Sequence, residues 1–117
     1  MPDNMFFVFS NPVDGQEDVF NEWYETTHVP DVLKVPGITS AQRYAIAPMV
    51  IPENDLGDVP PPPHRYLVAY TFEGDHQAIL ASFLERMGSG QLDISPALDF
   101  ATVSMAFWNP LGPLVSA

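Results

Sequence analysis

Residues 19–44 read VFNEWYETTHVPDVLKVPGITSAQRY, and the assignment of the fold turns on them. Phe20, Trp23, Tyr24 and His28 recur at i, i+3, i+4 and i+8, so four ring side chains share one face of a helix. Glu17, Glu22 and Glu25 fall elsewhere, where water can solvate them. Val29 precedes Pro30, and a residue before proline is pushed out of the α region, which predicts a helix ending near His28. There the imidazole closes the last turn, where the helix dipole favours its protonated form. Pro36-Gly37 then restarts the chain as a strand.

Upstream, Met5–Ser10 (MFFVFS) is a nearly continuous apolar run and predicts a strand covered on both faces. Asn11-Pro12 ends it, Val13-Asp14-Gly15 makes a turn, and Asp14 with Glu17 three residues on resembles a capping box. Downstream, Val29–Val35 reads as an irregular loop, and Ile38–Ala47 alternates as a second strand. Gln42 and Tyr44 lie on one face of that strand, Ala41, Arg43 and Ala45 on the other. Residues 48–63, closed by four successive prolines, suit neither a helix nor a central strand, and are read as an extended connection between strands two and three. Neither half would fold alone, so residues 1–117 are expected to form a single domain. Arg65–Phe72 is a third strand. His76–Met87 is a second helix, capped by Asp75 and ended by Gly88-Ser89-Gly90, with Ile79, Leu80, Phe83, Leu84 and Met87 on its apolar face. Phe100–Trp108 is a fourth strand, followed by a proline-punctuated tail.

The order β-α-β-β-α-β predicts an α+β, ferredoxin-like fold: a four-stranded antiparallel sheet with both helices on one face. Strands one, three and four are too apolar for a sheet whose other face meets water. The expectation is a homodimer, two copies packed sheet to sheet.

Composition narrows the function. With 46% hydrophobic and 12% aromatic residues among 117, the chain can build a core, so its net charge of −11 is surface charge. Only Lys34, Arg43, Arg65 and Arg86 are positive, which argues against nucleic acid and anionic membrane as partners. Absence of cysteine removes thiolate nucleophiles and cysteine metal sites. Residues 1–10 lack the pattern of a signal peptide, and no run spans a bilayer, so a cytoplasmic location is expected. His28, His64 and His76 have no metal-binding spacing. No serine has a G-x-S-x-G setting, and there is no Gly-rich phosphate loop. No metal site is expected.

The segment FNEWYETTHVPDVLKVPGITSAQRY resembles the EthD-like domains of the dimeric α/β-barrel superfamily, in which an aromatic-faced helix ends in a His and leads through a Pro-bearing loop and Pro-Gly to an Arg-containing strand. The match is best over Phe20–Tyr44, and the element order extends it loosely over most of the chain. The resemblance implies two protomers closing a barrel of strands and a ligand cavity between sheet and helices. It also implies cofactor-independent chemistry on, or binding of, small aromatic or polyketide-like molecules. The family's helix-terminal His falls on His28.

His28 is thus the catalytic candidate, with Glu25 or Asp31 able to orient it; the competing reading is a C-capping histidine. Tyr24, Tyr44 and Tyr66 are candidates to line a pocket with polar tips, while Trp23 reads as core. Arg43 can clamp a substrate carboxylate or polarise an enolate oxygen, or be a structural ion pair. Asn11 is a turn residue or a hydrogen-bonding contact for ligand. Three functions fit: an acid–base enzyme of dehydratase, isomerase or lyase type on a small apolar oxygenated compound, a cofactor-free monooxygenase, and a non-catalytic ligand-binding or interaction dimer.

Overall fold

The computed structural model describes residues 3–117. Strand β1 is Asn4–Pro12. Helix α1 is Glu17–Trp23, and it passes through a π-helical turn, Tyr24–His28, into α2, Val29–Val32. Strands β2 (Ile38–Ala45) and β3 (Tyr66–Phe72), helix α3 (His76–Ser89) and strand β4 (Leu98–Trp108) complete the fold. The four strands form one sheet in the order β2-β3-β1-β4, every neighbouring pair antiparallel. This is the ferredoxin-like α+β plan.

Alternation along the strands sorts residues between two faces. Phe6, Val8 and Ser10 of β1 pair with Tyr70, Val68 and Tyr66 of β3. With Phe72, this side packs against Phe20, Trp23 and Tyr24 from the first helix and Ile79 and Phe83 from α3 in one core. The opposite face carries Met5, Phe7 and Phe9, with Thr71, Ala69 and Leu67 beside them on one flank. Trp108, Ala106 and Ser104 stand on the other flank. Among the described residues no helix covers this face, and Phe7, Phe9 and Leu67 are only half-buried while Trp108 is exposed.

The first helix differs from its expected course. It does not stop at His28: Val29 has φ −60° and ψ −47°, helical values, although Pro30 follows. Instead the ladder changes. The Val29 N–H donates to the Tyr24 carbonyl, an i→i−5 bond, and Pro30 falls in the first turn of α2, where its missing N–H costs least. His28 is therefore an interior residue of a continued helix, and neither the terminal dipole nor a C-capping role applies to it. Asp14 is no cap either; the residue before α1 is Gln16, with no side-chain cap bond. Asn11-Pro12 belongs to β1, beyond an irregularity in its pairing with β4 between Phe9 and Asn11. At α3 the expected ends hold: Asp75 accepts from the Gln77 N–H at 3.4 Å, and Gly90 closes the helix with φ 83°. Gly37, at φ 97°, opens β2 where a Cβ would come within 2.9 Å of the Glu73 carbonyl oxygen and the Ile79 side chain.

Candidate functional site

The π turn adds a residue to the helix just where four rings must face the sheet. Tyr24 and His28 are both buried, at 2% and 5% exposure. Trp23 stacks on the His28 ring with centroids 4.5 Å apart, and Tyr24 meets it edge-on at 5.1 Å. Trp23 is anchored by its indole N–H, which donates to the Asp93 carbonyl at 3.0 Å. His28 Nδ1 is buried without a hydrogen-bond partner. Burial pushes the His28 pKa down from 6.5 to about 4, against an opposing pull from the Asp31 carboxylate. The ring is neutral at pH 7, the reverse of what a helix terminus would favour.

Neither candidate carboxylate orients it. Glu25 lies 3.6 Å from Arg43, and Asp31 lies 3.5 Å from Lys34. Beside His28 is a crevice of about 20 Å³, walled by Val8, Tyr24, Phe83, Met87, Phe100 and Met105 among others. That volume holds about one water. The hollow expected between sheet and helices is here mostly filled by side chains.

Tyr24 and Ser10 share a hydrogen bond at 3.3 Å, both hydroxyls buried. Burial raises the Tyr24 pKa, partly offset by the Ser10 bond and the Arg43 charge. Arg43 sits on the helix side of β2 with its guanidinium 4.7 Å from the Tyr24 ring centre and 5.9 Å from those of Phe20 and Tyr66. It donates to Asn21 Oδ1 at 2.7 Å, while Asn21 donates to the Tyr66 hydroxyl at 3.4 Å. This is an aromatic cage around a cation. His28, Tyr24, Arg43 and Tyr66 thus form one contiguous group, with Arg43 and Tyr66 outside the crevice lining.

Tyr44 and Asn11 lie elsewhere. Tyr44 is on the other face of the sheet, opposite Leu67, and helps line a separate hollow of about 150 Å³ with Phe9, Pro62 and His64. Asn11 holds the end of the 48–63 excursion: its amide donates to the Pro63 carbonyl at 2.9 Å, and its Oδ1 accepts from the Arg65 N–H at 2.7 Å. His64 adds a contact of 2.7 Å from Nε2 to the Thr102 carbonyl and is half-buried. Ser10, Asn21 and Met105 join the site without a sequence motif that marks them as candidates. Ser10 was accessible, because it continues the Phe6, Val8 alternation toward the helices.

Among the described residues, no cluster of three or more His, Asp or Glu is placed to hold a metal, and no helix is long and apolar enough to cross a membrane.

Comparison with known proteins agrees with this architecture. The crystal structure of an ethyl tert-butyl ether D (EthD) family protein from Bacillus halodurans C-125 is similar over 95% of this chain and 100% of that one, with a TM-score of 0.58. Identity is 18%, so the likeness is one of fold. The resemblance read from residues 20–44 therefore extends to the backbone of nearly the whole chain. No family model and no curated protein matches the sequence.

Proposed function

We propose that the chain forms a homodimer through the uncovered face of its sheet and works as a cofactor-independent enzyme on a small, apolar, oxygenated ring compound bound at the crevice. His28 moves a proton at a carbon next to a carbonyl or hydroxyl, in a dehydration, isomerisation or lyase step. The observation that carries this reading is the buried, unpartnered Nδ1 of His28 at an apolar crevice. Folded interiors rarely leave such an atom unsatisfied, and a ligand would satisfy it. A ring held neutral by burial gains a proton readily only when negative charge develops beside it, as it does on an enolate-like oxygen. The imidazolium is then stabilised chiefly in the transition state. The Tyr24 hydroxyl, backed by Arg43, would polarise the substrate oxygen. Met87 and Met105 are flexible enough to repack around a ligand, and exposed Phe100 stands at the rim.

The test is solvent deuterium exchange next to the carbonyl in a panel of cyclic hydroxyketones. Wild type should catalyse it, and His28→Gln should lose roughly 10²–10⁴-fold. Exchange unchanged in a folded variant would remove His28 from catalysis. The same panel run with and without oxygen distinguishes cofactor-free oxygenation, which stops without it. A second reading, a non-catalytic binding or interaction dimer, is favoured by the small crevice volume, about 20 Å³. It predicts no exchange by wild type.

A further inference from the structure

We infer that the crevice beside His28 selects uncharged ligands bearing a hydroxyl group, and that Arg43 is not an anchor for substrate carboxylates. The inference rests on the proposed ligand site and narrows what it accepts. Apart from Tyr24 and His28, the crevice is walled by apolar side chains. The Tyr24 hydroxyl, which shares a hydrogen bond with Ser10, is a neutral group and supplies no charge to balance an anion. The cation nearest this group, Arg43, does not line the crevice. Its guanidinium is engaged by the Tyr24, Phe20 and Tyr66 rings, by Asn21 at 2.7 Å and by Glu25 at 3.6 Å. Its Nε is buried without a hydrogen-bond partner, but the side chain stands outside the crevice lining, so a carboxylate seated in the crevice does not meet it.

A carboxylate in the crevice would therefore be desolvated with no compensating charge except a protonated His28, and burial opposes that form. A neutral imidazole offers one donor and one acceptor nitrogen. A hydroxyl can both give and accept a hydrogen bond, so it matches Nδ1 in either tautomer. A carboxylate only accepts, and a bare hydrocarbon leaves Nδ1 unpaired.

Binding of 2-naphthol, naphthalene and 2-naphthoate to the full chain at pH 7, followed by ¹⁵N shifts of the histidine rings, tests this. The naphthol should shift the His28 ring nitrogens and bind about tenfold more tightly than naphthalene. The naphthoate should bind at least about 10²-fold more weakly than the naphthol. Naphthoate binding as tight as naphthol, shifts confined to His64 or His76, or no binding by any of the three would each overturn the inference. Because the readout is occupancy and not turnover, it is separable from the catalytic reading. Deuterium exchange can fail while the selectivity holds, and anions can bind while exchange proceeds.

Discussion

At residue scale, the neutrality of His28 ties stability to pH. Its pKa is 6.5 when unfolded and about 4 when buried, so between those values the unfolded chain binds more protons than the folded one. The stabilisation is fully present above 6.5 and is lost as pH falls through about 4. At 1.36 kcal/mol per unit, the loss attributable to His28 is about 3 kcal/mol. Urea unfolding of wild type and His28→Gln at pH 7 and pH 4 measures it: the variant should lose less stability over that interval. Equal losses would mean the imidazole is not held neutral by the fold. Arg43 has a separate role. Arg43→Met should cost about 1–3 kcal/mol, from lost cation–π contact and an unpaired Asn21, and Arg43→Lys should recover little because an ammonium lacks the planar fork.

At the scale of elements, Gly37 and Gly74 make a controlled pair. Both have left-handed φ values, 97° and 92°, yet only Gly37 has neighbours where a Cβ would stand. Gly74→Ala should cost about 1 kcal/mol from strain alone, and Gly37→Ala about 3 kcal/mol or more, since a backbone carbonyl must move. Equal melting-temperature losses would show that the close approach is relieved cheaply. The elements themselves were largely legible in the sequence. Apolar and aromatic runs located three strands and alternation the second, and the spacing of Phe20, Trp23, Tyr24 and His28 put the right rings inward. What misled was local: Pro30 reads as a helix terminator, and only the change to i→i−5 bonding, which no residue type announces, carries the helix past it. Asp14 likewise had capping chemistry but not the position.

For the whole molecule, the prediction concerns association. Phe7 sits mid-sheet between Ala69 and Ala106, on the face away from the helices. Phe7→Lys should turn a dimer into a monomer in sedimentation while leaving the helix-side core intact by near-UV dichroism. If wild type is itself a monomer at high concentration, the dimer proposal fails. The radius of gyration, 16.3 Å, exceeds the ~13 Å usual for this length, in keeping with two exposed stretches, the 48–63 excursion with Val50 and Leu56 and the tail with Leu111 and Leu114. Limited proteolysis should cut the excursion first, with its flanks still held by Asn11 and His64. The sequence announced this excursion by its prolines and the sheet by its order of elements. The size of the crevice was not legible, because it depends on how Met87 of α3 packs with Phe100 and Met105 of β4.

The odd residue within Tyr24–His28 also fixes how this region can change length. Each residue turns a regular helix by about 100°. Loss of one codon among 25–27 would restore even winding and keep Phe20 and Trp23 in line with His28, whereas gain of one would swing them about 100° apart. Codons gained or lost among 49–61 would disturb no core packing. Length variants of this chain should therefore survive at the prolines, while at the rings a shortening by one is tolerated and a lengthening is not.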